Sequence, residues 1–228
     1  VKSNFQAFGL FLGDNMKLSI DHSTIKALLL TSAKGDIRYY LNAICLDVTQ
    51  GKATLVATQG HTLLAVPIEG EDLIDGEYII DRTIFESVNP IKAGKVEFPL
   101  DLTVTHEPDK IEGERTIKGH VTITLSGVTS ATSKLVDAKY PDWRRVIPRN
   151  QSREPAQYKP EYISIFGKIA SLLSGKKDNY PTIHHNGQSG SLVSNLGQGA
   201  IGVIMPLRQD DDFPYLPDWT YHPQKKAA

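Results

Sequence analysis

The 228 residues are 40% apolar and carry a formal charge of −1, with 25 Lys and Arg against 26 Asp and Glu. That is enough apolar material for one large or two ordinary domains, and too even a charge for a protein coated in positive residues, although a basic face offset by an acidic one stays open. Cys45 is the only cysteine, so an intrachain disulfide is excluded, a zinc site would have at most one thiolate, and a reducing, cytoplasmic location is expected. No apolar run approaches the roughly 20 residues of a membrane span, and the early run FGLFLG is too short for a signal-peptide core.

Residues 1–15 precede the first clear pattern and read as an N-terminal extension or expression remnant, outside the fold argument. From Met16 the order is a short strand, helix-start chemistry at Asp21-His22-Ser23-Thr24, then Ile25, Leu28 and Leu29 at helical spacing. After Lys34-Gly35-Asp36 the period changes: residues 39–48 read as a strand, 49–52 as a turn and 53–58 as the hairpin partner. Gln59-Gly60-His61-Thr62 interrupts before a further strand over 63–68.

The same order recurs twice. Residues 77–80 read as a strand, and a short helix starts at Asp81-Arg82-Thr83 and stops at Asn89-Pro90. Strands follow at 95–98, 102–105, 120–125 and 132–136, with the charged segment 107–118 as an exposed hairpin tip. In the third unit Pro160-Glu161 opens a helix whose stripe is Tyr162, Ile165, Phe166, Ile169, Leu172 and Leu173, and Gly175 ends it. Strands at 180–184, 191–195 and 200–206 complete it. Three units of strand, helix and strands predict an α+β fold, with one continuous antiparallel sheet system and the helices on one face.

Between the second and third units runs SKLVDAKYPDWRRVIPRN, residues 133–150. Pro141 forbids a helix there and pushes Tyr140 toward an extended conformation, so the segment reads as a strand leaving a domain and continuing as a stiff connector. Arg144 and Arg145, beside the apolar Val146 and Ile147, suit either a groove wall or a solvated linker.

Enzyme motifs fail on context. Gly197-Gln198-Gly199-Ala200-Ile201-Gly202 fits G-x-G-x-x-G, but a strand stopped by Pro206 follows, where a dinucleotide site needs a helix N-terminus. Gly187-Gln188-Ser189-Gly190 lacks the nucleophile-elbow spacing. His184 and His185 point to opposite faces of a strand, and Asp210-Asp211-Asp212 opens an acidic tail. No catalytic residue, metal or cofactor is expected.

Four strings, RYYLNAI (38–44), VATQGHTLLAV (56–66), the connector (133–150) and GVIMPLR (202–208), occur in the order they take in the bacterial sliding clamp, the beta subunit of DNA polymerase III, and the chain resembles that family. The resemblance spans the family's middle domain, here 16–150 including the connector, and the last half of its third domain, here 151–208; residues 209–228 form a further tail. It implies a clamp fold, α+β, with antiparallel sheets outside and helices on one face. The family's ring of six domains does not follow from three units. Two residues also depart from the family's motif: Gln59 stands in place of a carboxylate and Thr62 where an arginine is usual, with one residue extra.

The resemblance implies a non-catalytic processivity factor that receives short peptides of replication and repair proteins in a groove between domains. Carried over residue by residue, that groove is Leu41, Thr58, Gly60, His61, Leu63, Pro141, Arg145, Val146, Val203, Ile204, Met205, Pro206, Leu207 and Arg208, with Arg38 and Tyr40 at its edge. Such a set mixes an adaptable apolar pocket with guanidinium groups able to hold a carbonyl or carboxylate. The resemblance also implies sequence-independent contact with duplex DNA through phosphates, for which Lys34, Arg38, Arg82, Lys26, Lys159 and Lys168 are the candidates. A homo-oligomer is a further expectation. The alternative is a clamp-derived protein-binding module, a decoy or regulator, that does not encircle DNA. The tail, with Phe213, Tyr215, Leu216, Trp219 and Tyr221 among prolines and acids, is expected to lie on or near the groove.

Overall fold

A computed structural model describes residues 15–87, 100–106, 110–112, 115–117, 121–126, 130–208 and 217–220. β1 (Asn15–Ile20) leads into α1 (His22–Thr31), followed by β2 (Ala43–Thr49), β3 (Lys52–Thr58), β4 (Thr62–Ile68) and the two-residue β5 (Gly70–Glu71). β6 (Gly76–Asp81) and α2 (Arg82–Ser87) open the second unit, which continues through β7 (Leu100–His106), the small hairpin of β8 (Lys110–Glu112) and β9 (Arg115–Ile117), β10 (Val121–Ser126) and β11 (Ser130–Lys134). The third unit is α3 (Pro160–Ser174), β12 (Thr182–His184), β13 (Ser191–Ser194) and β14 (Ile201–Ile204). Among the described residues no helix is long and apolar enough to cross a membrane.

The strands form two main antiparallel sheets where one continuous system was expected. One has seven strands in the order β12-β13-β14-β4-β3-β2-β6, the other five in the order β11-β10-β7-β1-β5. β14 pairs with β4 in the register Ile204↔Thr62 and Val203↔Leu63, so the strands of the third unit extend the sheet begun by the first. α3 packs against α1 on the same side of that sheet.

Both faces of the seven-stranded sheet are covered, which is why β2 reads as a nearly continuous apolar run. Ile44, Leu46 and Val48 of β2, with Leu64 and Val66 of β4, enter the main core beneath the helices. Ala43, Cys45, Val56, Leu63, Ala65 and Val203 face the other way and pack on Tyr140 and Trp143 of the connector. A period of two puts neighbouring residues on opposite faces, and here each face has its own cover.

Local chemistry accounts for most boundaries. Gln50 and Gly51 both take positive φ, 53° and 67°, as a two-residue hairpin turn of primed type requires, and the Asp75 carboxylate accepts from both amides at 3.0 and 3.1 Å. α3 begins at Pro160 and stops at Gly175, whose φ of 67° is the left-handed cap. α3 also needs a bare position on β14: a Cβ added at Gly202 would stand 2.3 Å from Cε1 of Phe166.

Some expectations are corrected. Asp21 sits at the N-cap of α1 but makes no side-chain capping bond; its carboxylate accepts instead from Gln198 Nε2 at 3.3 Å, while Thr24 donates to Gln198 Oε1 at 2.8 Å. The strand expected from Tyr39 begins at Ala43, because Tyr39–Asn42 is a 3₁₀ turn closed by paired bonds between Asn42 and the backbone of Asp36 at 2.9 and 2.8 Å. The strand expected through 136 stops at Lys134, after which Val136 N–H donates to Ile79 O at 2.8 Å and the chain runs along the edge of β6. The connector then turns through a 3₁₀ helix at Trp143–Val146. Residues 110–112 and 115–117 pair as a hairpin within the charged segment. The strand expected at 95–98, the helix stop at Asn89-Pro90 and the packing expected for residues 209–216 and 221–228 lie outside the described residues; Asp218–Thr220 forms a 3₁₀ turn with Trp219 exposed.

Candidate functional site

A pocket of about 230 Å³ opens where the connector, the β3–β4 turn and the end of β14 meet. It is lined by Leu41, Thr58, Gly60, His61, Leu63, Pro141, Val146, Val203 and Met205 of the expected groove, and by Arg38 and Tyr40 of its expected edge. The β3–β4 turn is held from within. Thr58 Oγ1 donates to Thr62 O at 2.7 Å and accepts from Gly60 N–H at 3.0 Å. Gly60 has a φ of 96°, and the Arg38 guanidinium lies against its bare Cα, 3.2 Å from where a Cβ would be. The 58–62 turn is therefore rigid and offers a flat glycine surface to the cation beside it.

β14 reaches the same place by its register. Beyond Ile204, Met205 N–H donates to His61 O at 2.9 Å, and Leu207 N–H donates to Gln157 O at 2.7 Å. The connector closes the third side. A Cβ built at Gly190 would lie 3.2 Å from Met205 Sδ, 3.2 Å from Val203 Cγ1 and 3.7 Å from Val146 O, so the connector and the last strand are immediate neighbours. Val146 and Met205 are 47% and 38% exposed, an unusual display for apolar residues placed around one concavity.

The connector is anchored twice on the sheet. Tyr140 is buried and its hydroxyl donates to Val56 O at 3.3 Å; burial pushes its phenol pKa up. Trp143 Nε1–H donates to Asp47 Oδ2 at 2.9 Å, and Arg144 makes a two-pronged ion pair with the same carboxylate, with Nη2 to Oδ1 at 3.0 Å. Thr49 Oγ1 donates to Asp47 Oδ1 at 2.7 Å. Burial raises the Asp47 carboxyl, but the bonds from Arg144, Trp143 and Thr49 outweigh it and hold its pKa below the usual carboxylate value.

Not all of the expected groove faces the pocket. Ile204 lies in the main core, because it follows Val203 on a strand and points to the opposite face. Arg145, Pro206, Leu207 and Arg208 are near in sequence but do not line the cavity. Thr62, noted only as a departure from the family's motif, and Asp142 and Trp143 line it without having been named for the groove. Tyr162 of α3 was read only as part of an apolar stripe; its ring stacks on that of His61 at 5.7 Å and 15°. Asp47 had a readable signal, since a carboxylate two residues from Cys45 on an apolar strand must find partners.

The cationic candidates are mostly engaged. Lys34 pairs with Glu86 at 3.2 Å and Arg38 with Asp36 at 2.8 Å; hydrogen bonds from Arg38 bring the Asp36 pKa down to about 2. Arg82 donates to the carbonyls of Leu29 and Ser32 at 2.9 Å each, and to Glu86 at 2.8 Å, so its guanidinium closes the C-terminal end of α1. Lys159 Nζ lies 5.7 Å from the Tyr162 ring centroid. Lys26 is half-buried on α1 and Lys168 exposed on α3. His184 bonds Ser194 Oγ at 2.7 Å and His185 bonds the Tyr158 hydroxyl at 3.3 Å, two different neighbours. Gly197 and Gly199 lead into strand β14 with no helix after them.

Antiparallel sheets with helices gathered beneath one of them, and a side pocket at the joint between units, make this an α+β protein of the DNA-clamp fold. The chain is similar to the bacterial beta sliding clamp: it is 30% identical over 167 residues to that of Pseudomonas aeruginosa and 30% identical over 145 residues to that of Escherichia coli K12. These matches take in 72% and 60% of the chain but only 42% and 35% of the relatives, so it spans about two fifths of their length. No family model matches. Among solved structures, the DNA polymerase sliding clamp of Caulobacter crescentus matches with a TM-score of 0.54 at 18% identity, covering 92% of this chain and 68% of that one. DNA polymerase III subunit beta of Borrelia burgdorferi matches with a TM-score of 0.56 at 14% identity, over 85% and 64%.

Proposed function

We propose that the chain is a non-catalytic, sliding-clamp-like protein of DNA replication, whose pocket docks short linear peptides of replication or repair proteins. The carrying observation is the meeting of Val146, Met205 and the His61 turn around one exposed apolar cavity. Aliphatic walls and a methionine accommodate a peptide's apolar anchor, while Arg38 at the rim suits a carbonyl or carboxylate. The test is a fluorescence-anisotropy titration with a labelled peptide from the clamp-binding segment of a bacterial DNA polymerase. Met205→Asp and Val146→Asp should each weaken binding by about tenfold or more, because a carboxylate in the pocket loses its water. Unchanged affinity in both would remove the assignment.

Contact with duplex DNA is the second part of this reading, with Lys34, Arg38 and Arg82 as its candidates and Lys26, Lys159 and Lys168, on or beside the helices, as further ones. The engagement of Arg82 by α1 carbonyls and of Lys34 by Glu86 favours the alternative of a protein-binding module that does not encircle DNA. Encirclement would call for association of copies into a homo-oligomer. Salt-sensitive retention on nicked circular DNA, lost on linearisation, distinguishes the clamp from the module.

A further inference from the structure

Behind the pocket, and touching none of the space inside it, lies Asp47. On its face of β2 the preceding residues are Ala43 and Cys45, packed in an apolar cluster. A carboxylate there is costly unless every acceptor direction is used. They are used: Trp143, both prongs of Arg144 and Thr49 all donate to it, and Asp47 is only 2% exposed. Two of these donors belong to the 3₁₀ turn Trp143–Val146, whose Asp142 supplies no side-chain cap. Single 3₁₀ turns of this length are not stable by themselves, so the turn depends on what it is bonded to. The Arg144 guanidinium also lies 4.3 Å from the Trp143 ring centroid, which locks the two donors together over one acceptor.

We infer that Asp47 is the positioning residue of the pocket: by holding Trp143 and Arg144 it sets the connector turn, and with it the wall formed by Pro141, Trp143 and Val146. The inference rests on the peptide-docking reading for its consequence, but not for its structural half. A neutral amide of the same shape would fill the space but lose the charge and one acceptor oxygen, so Arg144 would lose its two-pronged ion pair and the turn would rest mainly on the packing of Tyr140, Trp143 and Ile147.

The test uses the full chain in a Trp219→Phe background, which leaves Trp143 as the sole tryptophan. Asp47→Asn should increase acrylamide quenching of Trp143 and weaken binding of the labelled polymerase peptide by about tenfold, while leaving the cooperative thermal transition of the sheets in place. Greater quenching with unchanged affinity would overturn the inference, as would lost affinity with unchanged quenching. Should Asp47→Asn fail to fold, Arg144→Gln, which removes the two-pronged partner of Asp47 outside the pocket lining and keeps Trp143, should raise Trp143 quenching and weaken binding about threefold; no change in either would contradict it. A wild-type protein that binds no peptide would refute the docking reading, and the quenching of Asp47→Asn would still decide whether Asp47 holds the turn.

Discussion

The rings of His61 and Tyr162 lie 5.7 Å apart with 15° between their planes, so the β3–β4 turn rests on the first turn of α3. This contact joins the first unit to the third at the edge of the pocket. A double-mutant cycle on His61→Ala and Tyr162→Ala should give a coupling of about 0.5–1 kcal/mol in chemical denaturation, as for a partly exposed stacked pair. A coupling near zero would mean that the rings are neighbours without interaction.

Arg82 should act on stability. Its guanidinium satisfies carbonyls at the end of α1 and pairs with Glu86 one turn further along α2. Arg82→Ala should cost about 2 kcal/mol in urea unfolding, since it leaves several acceptors without a donor. Arg82→Lys should recover only part, because an ammonium cannot fork between those carbonyls and the carboxylate. A variant as stable as wild type but poorer in DNA retention would reassign Arg82 to phosphate contact.

Gly202→Ala should destabilise by about 1–3 kcal/mol, because the new methyl would fall 2.3 Å from Phe166 Cε1 in a packed core. Combining it with Phe166→Leu should recover part of that loss by opening the space. The check is the pair of thermal transitions, and no interaction between the two substitutions would contradict the packing described.

Acid should loosen the connector through Asp47. Its folded pKa is depressed below the unfolded carboxylate value of about 3.9, so its contribution is fully present above that value and is lost as pH falls through the folded pKa. The charged and titratable groups bearing on this region are Arg144, Asp142, Glu77 and Cys45, and burial keeps the Cys45 thiol protonated, with its pKa pushed well up. Trp143 quenching should therefore rise below about pH 4 in the wild type and be nearly flat in Asp47→Asn. A matching rise in both would place the acid-sensitive group elsewhere.

The legible part of this fold was the part written in local periods. The stripe of α3, the Gln50-Gly51 turn and the Gly175 cap are set by residues within a few positions of one another. What was not legible depends on specific side-chain partners that no period marks: Asn42 with Asp36 converts the start of an expected strand into a 3₁₀ turn, and Gln198, far away in sequence, engages the Asp21 carboxylate, which makes no capping bond to α1. Two sheets stand where one was expected because the three units, though similar in order, do not all join edge to edge. At the site, the family-like strings pointed to the turn at Gly60 and the strand at Val203. They could not separate Val203 from Ile204, which depends on which face of β14 meets the connector. Tyr162 escaped notice because an aromatic residue on a helix stripe reads the same whether it enters a core or borders a pocket.

The most direct measurement is methyl NMR during titration with the polymerase peptide. If the connector and the last strand form one docking cleft, the perturbed methyl groups should be those of Leu41, Leu63, Val146, Val203 and Met205, all lining the pocket, moving together with a single affinity. Perturbations centred on other methyl groups, with Val146 and Met205 unmoved, would contradict it.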